Sequence, residues 1–280
     1  MPGTLYLVPT PIGNLGDISA RMADTLAQVD FIAAEDTRVT LKLLNHLGLR
    51  KPMVSYYRHN TGESGAAVLS RLLGGESCAL VTDAGTPAIS DPGEDLVRQC
   101  AQAGIPVVSI PGPCALITAL AASGLPTGRF TFEGFLAMNK KNRRAHLEEL
   151  KGETRTMLFY EAPHKLLSTL ADLLEAFGPD RRIALCRELT KLHEEIRRTT
   201  LGEAAAWYES DPPKGEFVLV VEGGTPAAEE APTLETGLAR VSALREGGLS
   251  LRDAARQAAA ELGLPRKALY DLALGKNTIG

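Results

Sequence analysis

Apolar residues fall in short, separated runs through the first hundred positions, with longer amphipathic stretches between them. Leu5 to Val8, Phe31 to Ala34, Cys78 to Thr82 and Val107 to Ile110 read as strands. Ser19 to Val29, Val39 to Leu47, Val68 to Leu73 and Glu94 to Ala103 read as helices. Ser19 is placed as an N-cap, and Gly48 and Gly104 close two of the helices. This βαβα rhythm predicts an α/β domain whose parallel sheet carries helices on both faces.

Pro111-Gly112-Pro113 interrupts the pattern, and a small-residue helix from Ala115 to Ala122 follows. Strand-like runs recur at Phe130 to Glu133, Thr156 to Tyr160, Arg182 to Cys186 and Phe217 to Val221. Helices are expected near His146 to Leu150 and Lys165 to Ala176. A second α/β domain is the reading. Gly223 to Pro232 has linker composition. From Leu234 onward the pattern is helical: Ser250 and Asp253 form a capping box opening a helix to Leu262, Gly263 ends it, and Pro265 starts the next. Helix, glycine turn and helix is the outline of a helix-turn-helix. The expected boundaries are therefore 1–112, 113–224, a linker at 225–233, and a helical domain at 234–280.

Composition adds exclusions. The 280 residues are 44% hydrophobic and 23% charged, with a net charge of −4, so bulk charge does not make this a nucleic-acid-coating protein. Within Leu234 to Gly280, however, seven Lys/Arg stand against five Asp/Glu. Cys78, Cys100, Cys114 and Cys186 lack CxxC spacing, so neither a metal site nor a redox pair is expected. No apolar run approaches the ~20 residues that span a bilayer. A cytoplasmic protein fits these features.

Ligands of an open parallel sheet bind beyond the carboxyl ends of its strands, so the loops after each strand are the candidates. Pro9 to Asp17 contains neither GxGxxG nor a phosphate-binding GxxxxGK[ST], and its prolines make it stiff. Glu35-Asp-Thr-Arg38 follows the second strand, where Asp36 either positions a substrate or caps a helix. Thr82 to Gly93 is long, rich in Gly and Pro, acidic, and free of Lys and Arg. It suits a neutral or cationic nucleoside better than a triphosphate. Ser109 to Ala115 then opens a helix whose first amides face the same crevice.

Several segments occur in order between residues 4 and 223: LVPTPIGNLGDIS (7–19), AAEDTR (33–38), HN (59–60), TDAGTPAISDPG (82–93), PGPCA (111–115), FEGF (132–135), FYEAPHK (159–165), RELTKLHEE (187–195) and EFVLVVEG (216–223). In this combination the chain resembles the tetrapyrrole methylase superfamily of class III S-adenosylmethionine-dependent methyltransferases. Within it, the chain resembles the ribosomal RNA small subunit methyltransferase I family. The resemblance implies a homodimer of two-domain α/β chains with the cofactor in the cleft between the domains. It implies contacts from Ile12, Thr86, Ile89, Cys114, Ala115, Glu161, Ala162, Thr199 and Glu216 to S-adenosyl-L-methionine. Thr199 stands where relatives tend to have Gly. The implied reaction is 2′-O-methylation of a cytidine ribose, cytidine 1402, in the decoding region of 16S rRNA within the small ribosomal subunit.

A ribose hydroxyl is a weak nucleophile and benefits from a base or a cation. Asp36, His59 and Lys191 are the leading candidates, with Glu133, Glu188 and Glu195 behind them. His59 follows Tyr56-Tyr57-Arg58, an aromatic and basic cluster. Lys140, Lys141, Arg143 and Arg144 form the sharpest basic run and are expected to grip RNA phosphates, with Arg266 and Lys267 in the helix-turn-helix. Two alternatives remain at this point: a methylase of a small tetrapyrrole, and a non-enzymatic nucleic-acid-binding protein that senses S-adenosylmethionine.

Overall fold

The computed structural model describes residues 1–225 and 232–275. Most of the linker expected at 225–233, and the end of the helical domain expected at 234–280, lie outside the described residues. Two compact units emerge, Met1–Gly223 and Gly224–Gly280, and the first holds both sheets.

The first sheet is built from β1 (Leu5–Leu7), β2 (Phe31–Ala34), β3 (Met53–Ser55), β4 (Cys78–Val81) and β5 (Val107–Ser109), all parallel, in the order β3-β2-β4-β1-β5. Every residue of β2 and β4 is buried. Such unbroken apolar runs are what a parallel strand needs when helices cover both faces. The covering helices are α1 (Ala20–Gln28), α2 (Thr37–His46), α3 (Thr61–Leu73) and α4 (Glu94–Gln102). One face packs Leu72, Leu96 and Val68 against Leu80 and Phe31, and the other packs Met22, Leu26 and Leu44 against Ile32 and Val81. Ser19 caps α1, its hydroxyl accepting from the Met22 amide at 3.1 Å.

The second sheet has the order β6-β7-β10-β8-β9, from β6 (Phe130–Phe135), β7 (Thr156–Glu161), β8 (Arg182–Arg187), β9 (Glu195–Thr200) and β10 (Phe217–Val221). It is mixed: β6 and β7 are parallel, whereas β10 runs antiparallel to β7 and β8. The start of β10 therefore lies beside the carboxyl ends of β7 and β8. One face is covered by α5 (Ala115–Ser123), the other by α6 (Lys140–Glu149), α7 (Pro163–Phe177) and α8 (Leu201–Ser210). The apolar pattern misses β3 and α8, and it reads no strand in EIRRTT, which forms β9. Both strands lie at sheet edges, where short length and exposed charge replace apolar alternation.

The second unit contains α9 (Leu234–Glu246), α10 (Leu251–Leu262) and α11 (Arg266–Ala273). Its core is Val241, Ala254, Ala255, Ala258, Ala259 and Leu269. The capping box is present: the Asp253 amide donates to Ser250 Oγ at 3.2 Å, and that hydroxyl donates to Asp253 Oδ2 at 2.6 Å. Among the described residues no helix is long and apolar enough to cross a membrane.

Candidate active site

Loops from both sheets enclose one cavity of about 490 Å³. From the first sheet come Ile12 after β1, Glu35 after β2, and Thr82 to Thr86 with Ile89 to Asp91 after β4. Cys114 and Ala115 open α5. The second sheet supplies Phe135, Tyr160 to Pro163, Cys186, Leu189, Lys191 and Glu216 to Val218. The antiparallel entry of β10 explains how Glu216, late in the sequence, reaches the carboxyl ends of the other strands.

Short-range bonds fix these walls. Thr10 and Gly85 exchange both backbone hydrogen bonds, at 2.9 and 3.0 Å, tying the first loop to the acidic loop. Thr10 Oγ1 donates to the Thr82 carbonyl at 3.0 Å, and Thr86 Oγ1 to the Pro113 carbonyl at 2.9 Å. Across from them, Glu161 is buried. Its carboxylate accepts from the Ala162 amide at 2.8 Å and from Thr169 Oγ1 at 2.5 Å. No side chain caps α5 at Cys114; in its first turn the Leu116 amide donates to the Tyr160 hydroxyl at 3.2 Å. Burial pushes the Tyr160 phenol up to about 12, so it stays protonated.

The charge is mostly negative. Glu35 accepts from Thr82 Oγ1 at 2.6 Å, and Asp83 accepts from the Asp36 amide at 3.1 Å. Burial, with the nearby charges of Glu35 and Asp83, raises Asp91 to about 6. Burial and the Glu35 charge likewise push Asp83 up. Among the described residues the sole cation on the walls is Lys191, and its ammonium donates to Glu188 and to Glu216, both at 2.9 Å. Burial works against that charge, but the two carboxylates more than offset it and hold the ammonium above its ordinary pKa.

The structure brings together Ile12, Thr86, Ile89, Cys114, Ala115, Glu161, Ala162 and Glu216, with Lys191 beside them. It does not bring Thr199 there. Thr199 lies on β9, its hydroxyl bonded to Glu203 of α8, and lines a different cavity with Ser123, Arg182 and Arg198. A side chain at 199 therefore does not crowd the main cavity. Asp36 is also absent from the walls. It caps α2 through the Arg38 amide at 2.8 Å and pairs with the Arg38 guanidinium, whose hydrogen bonds hold its carboxyl down at about 2. A base needs a pKa nearer neutrality. His59 is exposed outside the cavity, edge-on to Tyr57, while its neighbour Arg58 donates to the Ser90 carbonyl at 3.2 Å.

The basic run also divides. Lys140 and Lys141 are exposed at the start of α6, and among the described residues neither forms an ion pair. Arg143 pairs with Asp172 of α7 at 2.8 Å, with both side chains largely buried, and Arg144 reaches Glu175 at 3.6 Å. Arg266 and Lys267 are exposed in the first turn of α11. Among the wall residues that lie within the sequence motifs but outside the expected site residues are Asp91, Phe135, Tyr160, Leu189 and Val218.

Residues 4–205 match the Tetrapyrrole (Corrin/Porphyrin) Methylases family, and residues 231–277 match the RsmI C-terminal HTH domain. A Synechocystis protein named ribosomal RNA small subunit methyltransferase I is 49% identical over 97% of this chain and 98% of its own. Proteins of the same name from Pseudomonas aeruginosa and Escherichia coli O157:H7 are 48% and 47% identical, covering 97% of this chain and 97% and 95% of their own.

The chain belongs to the ribosomal RNA small subunit methyltransferase I family.

Membership makes it an enzyme, a methyltransferase. Solved structures show the same fold at lower identity. The methyltransferase CobJ aligns with a TM-score of 0.61 at 19% identity, covering 79% of this chain and 95% of its own. The uroporphyrin-III-C-methyltransferase of Thermus thermophilus aligns at 0.54 and 21%, covering 78% and 94%. In this family member, the two-sheet architecture and the C-terminal helices are thus both accounted for.

Proposed function

We propose that this methyltransferase transfers the methyl group of S-adenosyl-L-methionine to the 2′-hydroxyl of cytidine 1402 in 16S rRNA of the small ribosomal subunit, acting in the cytoplasm as a homodimer. The observation that supports this most is the convergence of Ile12, Thr86, Ile89, Cys114, Ala115, Glu161, Ala162 and Glu216 on one acidic cavity, in a chain that matches rRNA methyltransferases almost end to end. The cavity falls within the ~300–1,000 Å³ range of small-molecule sites. Its chemistry suits the cofactor: apolar walls from Ile12, Ile89, Leu189 and Val218, backbone amides at the start of α5, and carboxylates facing a positively charged nucleoside.

Bound there, the cofactor would supply an electrophilic methyl group on a sulfonium. The chain's own part is alignment and electrostatics. Holding nucleophile and methyl in line contributes on the order of 7–11 kcal/mol. Lys191 is held as an ammonium and is therefore no base. Two of its three N–H donors are engaged by Glu188 and Glu216, leaving one to stabilise the negative charge that would grow on O2′, whose hydroxyl proton would pass to solvent water. Lys140 and Lys141 of α6, with Arg266 and Lys267 of α11, are proposed to contact RNA phosphate.

The test is methylation with labelled cofactor of small subunits from a strain lacking the gene. Label retained as a 2′-O-methylcytidine after nuclease digestion supports the reading. Label confined to a base, or accepted only by a tetrapyrrole, overturns it. Light scattering of the purified protein reads the dimer.

A further inference from the structure

Phe135 is a large apolar side chain on a cavity wall, yet it is 56% exposed. Simple alternation along β6 would put Phe130, Phe132 and Gly134 on one face and Phe135 on the other. The register instead shifts between Phe132 and Gly134: Phe132 pairs with Leu158, Gly134 with Phe159, and Phe135 with Tyr160. Gly134 takes a left-handed conformation there, with φ +65°. The bulge returns Phe135 to the face of Phe132 and the cavity, the kind of re-aiming that bulges perform beside active sites.

The ring is also pre-set. Phe132 and Phe135 each meet Tyr160 edge to face, at centroid distances of 4.9 and 5.6 Å, and Tyr160 is bonded in turn to the first turn of α5. A ring packed along one side and open on the other is a surface that another ring can cover. A few residues on come Met138, 81% exposed, and the exposed Lys140 and Lys141, which form no ion pair among the described residues. Lys140 is five positions on from Phe135, at most about 18 Å along the chain.

Resting on the rRNA reading above, we propose that Phe135 is the stacking platform for a nucleobase of the RNA strand at the cavity mouth, while Lys140 and Lys141 hold its flanking phosphates. An aromatic face beside free cations is the pairing by which proteins hold unpaired RNA nucleotides. A protein partner covering Phe135 and Met138 would need carboxylates placed to meet the two lysines, whereas an RNA strand brings base and flanking phosphates together at this spacing.

The experiment compares wild-type protein with Phe135→Ala, Phe135→Leu and Phe135→Trp in the methylation assay on undermethylated small subunits, alongside calorimetric binding of S-adenosylmethionine without RNA. The Ala and Leu variants are expected to raise KM for the subunits about 10-fold or more, with Trp within about 3-fold of wild type. Because Phe135 also lines the cavity, cofactor Kd and the thermal midpoint are measured for every variant, and cofactor Kd is expected to shift far less than KM for the subunits. A Leu variant equal to wild type would show that any apolar side chain suffices and would overturn stacking. So would an unchanged Ala variant, or a loss explained by weaker cofactor binding. If wild-type protein leaves small subunits unlabelled, the rRNA reading itself fails, and that result does not depend on the side chain at Phe135.

Discussion

Gly13 packs against the stem of Lys191: a Cβ on Gly13 would stand 2.4 Å from Cγ of Lys191. The loop after β1 and the loop after β8 thus meet at a lysine stem, and Gly13 itself has φ +154°. Gly13→Ala is expected to displace the lysine from Glu188 and Glu216 and to lower kcat while the protein stays folded. Lys191→Met removes the ammonium outright and should lower kcat by about 100-fold, the scale of losing one oxyanion donor. Steady-state kinetics with circular dichroism checks both. A Met variant with wild-type kcat would remove Lys191 from the chemistry.

Asp91 is expected to make cofactor affinity depend on pH. Its carboxyl is raised from 3.8 to about 6, because burial and the Glu35 and Asp83 charges disfavour its anion. For the empty protein, this group's contribution to stability is complete below its unfolded pKa and is lost as pH rises through about 6. A bound cation favours the anion, so affinity for S-adenosylmethionine should tighten from about pH 5 to about pH 7. The demethylated product lacks the sulfonium charge and should show a shallower slope. Asp91→Asn should flatten the difference; an unaltered slope in that variant would exclude Asp91 as its source.

Thr169 supports the Glu161 carboxylate from within α7. Thr169→Val keeps the shape but leaves that buried carboxylate one donor short. The expected cost is about 1.5–3 kcal/mol of folding stability. Urea denaturation measures it, and cofactor affinity should weaken in parallel because Glu161 and Ala162 line the cavity.

The basic run should split by phenotype. Arg143→Ala strands Asp172 in a largely buried site and should lower the thermal midpoint. Lys140→Ala with Lys141→Ala should leave the midpoint unchanged, weaken RNA binding and reduce its salt dependence. Filter binding across a salt series separates the two. Equal salt slopes in wild type and the double variant would remove these lysines from phosphate contact.

Much of the frame was legible in the chain. The runs Phe31–Ala34, Cys78–Val81 and Phe217–Val221 are central strands because an apolar run of strand length can only be buried on both faces. Ser19 and Ser250 cap their helices because a hydroxyl three residues before an amide suffices. These are local relations, written in consecutive residues. The acidic, cation-free loop Thr82 to Gly93 stands out by composition as a long strand-end connection, and its residues Thr82 to Thr86 and Ile89 to Asp91 line the cavity.

What surrounds that loop was decided by tertiary structure. Asp36 and His59 lie near the right strand ends but face other partners, and Thr199 lies on the edge strand β9, lining a different cavity. Arg143 reads as one of four equal cations until α7 brings Asp172 against it. Phe135 would point away from the site by alternation, and only the bulge at Gly134 turns it inward. The sequence alone determines where the central strands run and where the capped helices begin, since these follow from the pattern over a few positions. Which charged and aromatic side chains share a site depends on register and strand direction between segments far apart in the chain, and only the folded sheets set those.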